Sequence, residues 1–482
     1  MTLLSRIVLF LVMGLLISCN PPQKPNVVFI LVDDLGWTDL GCYGTSFYDT
    51  PHLDELAGES IRFTNAYAAS PVCSPTRASI MTGKHPSRVG ITDWIPGMEN
   101  GRNSEALLIC PEDLHNLPLE EVTMAEVFRK EGYRTFFAGK WHLGETSDYW
   151  PLAQGFQVNK GGNHRGSPTF PGGKGYYAPY GNPCLTDGPP GEYLTDRLTD
   201  ESIQFIDSAG SDPFFLFLAF YTVHTPIQGC NAYDDLYNEK RLALPDSGKR
   251  VTRHEHQGIT RMNQTDPKYA AMVHSMDANV GRIVEKLKST GQYDNTILIF
   301  TSDNGGLTTT KNGGPTAVVP LRAGKGWCYE GGIRVPLLIR YPGISLGGTS
   351  CDQPAISMDF FPTLMDLAGI DTDPTISMDG VSLVPNLFSP SEITHRTLVW
   401  HYPHYHGSTW RPGSAIRSDQ WKLVEFYEDH HTELYDLSAD LAEAQNLQEK
   451  FPEKADSLKQ VMHLILAEVG AAYPVNRRNV DK

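Results

Sequence analysis

The chain is short of positive charge. Its 40 lysines and arginines are outnumbered by 56 aspartates and glutamates, a formal charge of −16, so it lacks the clustered cations with which a general nucleic-acid binder neutralises phosphates. Any basic contacts to an anionic ligand must therefore be local. The apolar run from Ile7 to Ile17 is too short for an ordinary membrane span. No segment repeats along the chain, so a solenoid or propeller is not expected. What is present is a globular composition: 482 residues with 40% hydrophobic content can bury a large core, which predicts one large domain plus a smaller one and excludes a disordered protein.

The first residues have the form of an export signal, with Arg6 ahead of the apolar run and Ser18-Cys19 after it. Leu16-Ile17-Ser18-Cys19 also resembles a bacterial lipobox, in which the signal is cut before a cysteine that then carries lipid. On this reading residues 1–18 are the signal, and 19–25, rich in Pro and Gln, are a tether anchored at Cys19. The mature protein is then an exported lipoprotein, periplasmic or at the cell surface, touching the membrane only through that anchor. The plainer alternative is a signal peptide with an incidental cysteine. Setting aside Cys19 and Cys73, export permits disulfides among Cys42, Cys110, Cys184, Cys230, Cys328 and Cys351, and the sequence does not choose a pairing.

Apolar runs of strand length recur at Val27 to Val32, Thr135 to Ala138, Phe214 to Phe220, Thr296 to Phe300 and Val335 to Ile339. Continuous runs of this kind suit strands buried on both faces. Between them lie helical patterns, clearest where Met272, Met276, Val280, Ile283 and Leu287 recur at helical spacing before Gly291. Strands alternating with helices predict an α/β domain with a mixed, largely parallel sheet covered by helices, over 26–370. Beyond a helix-like stretch from Asp359 to Ala368, residues 371–482 read as a smaller C-terminal α+β subdomain. There Trp421 to Tyr427 and Glu433 to Leu437 form an antiparallel hairpin, and Pro452 to Val469 a closing helix. Gly161 to Pro190, dense in Gly and Pro, reads as an irregular loop bordering a cleft.

Residues with chemical potential come directly after the apolar runs: Asp33-Asp34, then Lys140 and His142, then His224, then Asp303-Asn304. Ligands of open α/β sheets bind outside the carboxyl ends of the strands, so these groups are expected to converge. Asp33, Asp34, Asp303 and Asn304 offer hard oxygen ligands, which suit Ca²⁺ or Mg²⁺ and not a zinc site of His and Cys. Taken singly, such residues more often cap helices or turns.

Cys73-Ser74-Pro75-Thr76-Arg77 precedes Thr82-Gly83. Pro75 suits a first helical turn and Gly83 a helix end, so Cys73 is expected at a helix N-terminus, where free N–H groups and the dipole favour an anion. Arg77, one turn in, adds a permanent charge. A lone exported cysteine is more often half of a disulfide. The flanking residues reverse that preference.

The C-x-P-x-R pattern followed by T-G resembles the signature of the type I, formylglycine-dependent sulfatases of the alkaline-phosphatase-like superfamily, whose cysteine is oxidised by a maturation enzyme. The resemblance runs over nearly the whole mature chain. Pro25 to Gly36 is similar to the family's opening strand and acidic pair, Gly139-Lys140-Trp141-His142 to its second motif, and Tyr221 to Pro226 supplies His224. Thr301 to Gly305 supplies Asp303 and Asn304, Gly324-Lys325-Gly326 supplies Lys325, and Glu433 to Leu447 is similar to family C-terminal hairpins. The pattern looks like that of sulfatases from glycan-degrading bacteria.

What the resemblance implies is a calcium ion held by Asp33, Asp34, Asp303, Asn304 and the modified residue 73. It implies a hydrated formylglycine attacking sulfur in line, with Asp303 helping to deprotonate it. Arg77, Lys140 and Lys325 meet the developing charge, His224 protonates the leaving alcohol, and His142 assists loss of the second hydroxyl's proton. A sulfated carbohydrate is the implied substrate and the formylglycine-generating enzyme an implied partner. Two other readings stay open: a phosphoester or phosphonate-ester hydrolase on the same fold, and a non-catalytic glycan-binding lipoprotein. Gly161 to Pro190 and His401 to His406 with Trp410-Arg411 read equally as a sugar subsite or as loop packing.

Overall fold

The computed structural model describes residues 23–97, 106–343 and 346–480. The signal, lipobox and Cys19 lie outside the described residues, apart from the end of the tether. Among the described residues no helix is long and apolar enough to cross a membrane.

The sheet is built from eight strands: β1 (Asn26–Val32), β2 (Ile61–Phe63), β3 (Arg134–Gly139), β4 (Val158–Lys160), β5 (Phe214–Ala219), β6 (Thr296–Ser302), β7 (Leu337–Arg340) and β8 (Thr349–Cys351). Their spatial order is β8-β2-β7-β6-β1-β5-β3-β4. β1 pairs in parallel with β6 and β5, with Ile30 opposite both Phe300 and Leu218. β3 continues the parallel set between β5 and β4. β7 runs antiparallel to β6 and β2, which makes the sheet mixed.

The continuous apolar runs have a double purpose. Val28, Ile30 and Val32 enter one core with Leu216, Leu218 and Phe300, while Val27, Phe29 and Leu31 enter a second core with Phe215, Phe217 and Ile299. Alternate residues point to opposite faces, so a sheet covered on both sides shows no polar alternation. Helices α1 (Pro51–Glu59), α3 (Leu194–Ala209) and α4 (Pro267–Ser289) close the first face, and α2 (Cys73–Thr82) and α5 (Phe360–Ala368) close the second. Each fully buried Val, Leu, Ile or Phe contributes about 1.5–3 kcal/mol. α4 carries the expected stripe, with Met272, Met276, Val280, Ile283 and Leu287 buried, and Gly291 follows at φ +70°.

The C-terminal part forms an antiparallel sheet of β9 (Thr397–Tyr402), β10 (Gly413–Ser418), β11 (Trp421–Phe426) and β12 (Thr432–Asp436), backed by α6 (Pro452–Glu468). One face packs Trp400, Tyr402 and Phe426 against Trp327, Tyr329 and Tyr67, and the other packs Ile416, Leu423 and Leu434 on α6. Lys422, fully buried, donates to Glu330 (2.9 Å) and forms an ion pair with Glu443 (2.8 Å), which ties this sheet to the segment after Lys325. Of the segment His401 to His406, His401 and Tyr402 belong to β9, so the expected loop begins later. All seven described cysteines are free thiols, without a disulfide among them.

Candidate active site

The parallel strands deliver their following residues to one edge. Asp33-Asp34 leave β1, Lys140 and His142 leave β3, His224 follows β5, and Asp303-Asn304 leave β6. Because β7 is antiparallel, the segment leading into it arrives at that same edge and brings Lys325. Asp34 (φ 63°) and His142 (φ 59°) adopt left-handed backbone conformations, uncommon for residues with a Cβ and concentrated at functional sites.

The site's charges are matched one to one. Lys140 Nζ lies 2.7 Å from Asp33 Oδ2, Lys325 Nζ 2.6 Å from Asp34 Oδ1, and Arg77 Nε donates to Asp303 Oδ2 at 2.8 Å. Arg77 also donates through Nη1 to the Lys140 carbonyl (2.6 Å). Its Nη2 touches Asp303 Oδ2 at 2.8 Å without hydrogen-bond alignment. All six side chains are buried. Burial pushes Asp33 well above the usual carboxylate range against the pull of Lys140. The same burial acts on Asp34, where Lys325, His224 and Lys140 outweigh it and hold the carboxyl low.

Cys73 opens α2 as expected, and Gly83 ends the helix at φ +69°. Val72 supplies no capping side chain, so the first-turn N–H groups retain their anion-seeking character. Burial raises the Cys73 thiol's proton affinity, partly countered by Lys140 and Lys325. His142 Nδ1 is 3.3 Å from Cys73 Sγ, and His142 Nε2 bonds the Ile95 carbonyl. A carbonyl only accepts, so Nε2 carries the proton and Nδ1 presents a lone pair to residue 73. Burial and Lys140 lower the ring well below its ordinary pKa.

His224 is oriented the other way round. Nδ1 bonds the Thr225 carbonyl at 2.8 Å, so Nε2 faces the cleft, 3.9 Å from Asp34 Oδ2. Burial and Lys325 bring it down to about 3, against the opposite pull of Asp34.

Two buried oxygens, Asp33 Oδ1 and Asn304 Oδ1, accept no hydrogen bond. Unpaired hard oxygens at the meeting point of three carboxylates fit a divalent cation of the calcium or magnesium class. Ligand atoms of Asp33, Asp34 and His224 also lie within 4.8 Å of one another. That grouping includes an imidazole, which suits transition metals better, so the oxygen set fits a hard cation better than the histidine does.

The remaining candidates separate clearly. His401 is buried and bonded to Ser414 (2.7 Å) and the Ala472 carbonyl (3.0 Å), and His404 bonds Thr92 (2.8 Å). Trp410 is buried against Trp327 and Phe426, and Arg411 is paired with Glu428 and Asp429. These are packing residues. His406 differs, because its ring lies against Gly326, where a Cβ would come within 2.1 Å of Nδ1, and it senses Lys325 and Asp34. Sequence reasoning did not single out Asn163 or Ile95. Asn163 accepts the His142 N–H through its carbonyl at 3.1 Å, and backbone contacts of this kind leave no side-chain signature.

The chain is similar to known proteins along most of its length. The sulfatase family model matches residues 25–370, and the model for the N-sulphoglucosamine sulphohydrolase C-terminal region matches 323–471. A sulfatase of Formosa agariphila is 32% identical, with 92% of this chain and 89% of that protein covered. Human arylsulfatase A is 32% identical over 93% of this chain and 89% of its own length. Human N-acetylgalactosamine-6-sulfatase is 30% identical over 77% and 67%. Among solved structures, Ps i-CgsB in complex with k-i-k-neocarrahexaose superposes with a TM-score of 0.72 at 28% identity, covering 92% of each chain.

Proposed function

The chain belongs to the sulfatase family and is a sulfuric ester hydrolase, and on that premise we propose that it removes sulfate from a sulfated saccharide through a formylglycine made from Cys73. The observation that carries the reading is the position of Cys73. It opens a helix inside C-x-P-x-R, buried, and within reach of His142. The saccharide part is supported by the relatives: one is named for N-acetylgalactosamine-6-sulfate chemistry, and a 28%-identical structure holds a neocarrahexaose.

Formylglycine in its hydrated form supplies the hydroxyl nucleophile that an unmodified thiol lacks. A calcium ion, held by Asp33, Asp34, Asp303, Asn304 and residue 73, supplies Lewis-acid stabilisation of negative charge. The rest is done by the chain's own side chains. Arg77, Lys140 and Lys325 hold three positive charges around the sulfate and meet the charge that grows in the transition state. Asp303, held in place by Arg77, takes the proton of the attacking hydroxyl. His224 keeps Nδ1 on Thr225 and delivers a proton from Nε2 to the leaving alcohol. Its ring is neutral beside Lys325 alone, and an arriving sulfate offsets that lysine and raises the ring's proton affinity. His142 receives a proton at Nδ1 from residue 73 while Nε2 stays on Ile95.

We place the enzyme outside the cytoplasm as a lipoprotein anchored at Cys19, on the strength of the Arg6 to Cys19 segment. Its other partner is the maturation enzyme that oxidises Cys73. A panel of defined sulfated saccharides tests the substrate class, with free sulfate as the readout. Release from members of the panel is expected. Hydrolysis of nitrophenyl sulfate with no release from any saccharide contradicts it.

A further inference from the structure

The charge pairing of the site leaves one nearby cation over. Arg77, Lys140 and Lys325 each have their carboxylate. Among the described residues Arg165 has none: no ion pair engages its guanidinium, and its Nε is buried without a hydrogen-bond partner. Its guanidinium lies over the Phe170 ring, 5.9 Å from the centroid.

Arg165 is held close to the reaction centre by a rigid turn. The Asn163 carbonyl accepts the His142 N–H at 3.1 Å, and Gly166 lies so close to the His142 ring that a Cβ would come within 2.4 Å of Cε1. Asn163 is clamped by bonds to Gly161 (2.8 Å) and Asn182 (3.0 Å), and its Oδ1 accepts the Arg165 N–H at 2.9 Å. The residues on both sides of Arg165 are thereby fixed to His142. Because Asn163 and Gly166 both lie against His142, the turn sets Arg165 on the flank of the sulfate site. Beside it, His164 stacks on Trp150, with ring centroids 6.2 Å apart.

A buried guanidinium N–H without an acceptor, as at Arg165 Nε, is costly unless a ligand supplies one. The planar guanidinium matches a carboxylate or sulfate in bidentate fashion. Nothing in the catalytic cycle calls on it, because the scissile sulfate already has three cations. We propose that Arg165 is a specificity-determining residue that binds a second anionic group of the substrate, a carboxylate or a further sulfate ester next to the one removed. The inference rests on the saccharide reading above and narrows it to glycans with neighbouring negative charges.

The test uses matched disaccharides bearing one scissile sulfate, in which the adjoining sugar is a neutral hexose, a uronic acid or a sulfated hexose. Wild-type enzyme is expected to prefer an anionic member over the neutral one, and the favoured arm identifies the group. Arg165→Ala should erase that preference, lowering kcat/KM on the anionic member about 10- to 100-fold, chiefly through KM. Arg165→Lys, which keeps the charge but not the fork, should retain part of it. Thermal unfolding checks that the variants fold. Hydrolysis of all three by wild type with equal efficiency, or a preference that survives Arg165→Ala, overturns this proposal alone. Failure to cleave any saccharide while nitrophenyl sulfate turns over removes the saccharide reading as well.

Discussion

His142 presents Nδ1 to Cys73 Sγ at 3.3 Å while its other nitrogen is committed to the Ile95 carbonyl. One tautomer satisfies both contacts, so the ring can only accept a proton from residue 73, and burial beside Lys140 keeps it neutral to do so. His142→Ala should spare the first half of the reaction and slow the second. Stopped-flow with nitrophenyl sulfate is expected to show a nitrophenolate burst matching the enzyme concentration, then steady turnover reduced by about 10²- to 10⁴-fold. A uniform slowing with no burst contradicts the role.

His224 offers the complementary test. A sugar alcohol is a poor leaving group and needs a proton, whereas nitrophenolate leaves without one. His224→Ala should therefore lose about 10²- to 10⁴-fold on a sulfated saccharide and far less on nitrophenyl sulfate. The variant must first be shown to fold and to carry its modified residue 73. Equal losses on both substrates reassign His224 to binding the sulfate.

The oxygen cluster predicts a divalent ion. Elemental analysis of the purified enzyme is expected to find calcium, and chelation should abolish activity that added calcium restores. Asp303→Ala should lose metal and activity together. Full activity after demonstrated removal of the metal contradicts the site.

Stability should respond to acid through His85. This buried ring accepts the Ser87 N–H at Nδ1 (3.2 Å) and bonds the Val399 carbonyl through Nε2 (3.3 Å), which joins the segment after α2 to β9. Burial lowers its pKa from an ordinary 6.5 to about 4. A depressed histidine contributes fully above the unfolded value and loses that contribution as pH falls towards the folded one. Unfolding free energy should thus decline between pH 6.5 and 4, by about 1.4 kcal/mol per pH unit from this ring. Denaturant titrations across that range should show a shallower decline for His85→Gln. An unchanged slope in the variant contradicts the assignment.

Much of the site was legible in the sequence because chemistry follows immediately on apolar runs. Asp33, Lys140, His224 and Asp303 each lie just past a strand whose continuous hydrophobicity marks burial on both faces. Lys325 carried no such signal, since it reaches the site through the antiparallel entry into β7, and its motif alone pointed to it. Strands β11 and β12 were legible as a hairpin. β9 was not, because the histidines and aromatics of His401 to His406 look like a binding loop until Trp400 and Tyr402 are seen buried against Trp327. Arg165 lies in a Gly- and Pro-rich loop whose path is set by the Asn163 clamp and not by local periodicity.

The proposed mechanism depends on the chemical state of position 73, and peptide mass spectrometry of enzyme fractions of differing specific activity reads that state directly. Activity is expected to rise in proportion to the fraction of Cys73 converted from thiol to aldehyde. Fully active enzyme in which Cys73 is found only as the thiol would contradict the account.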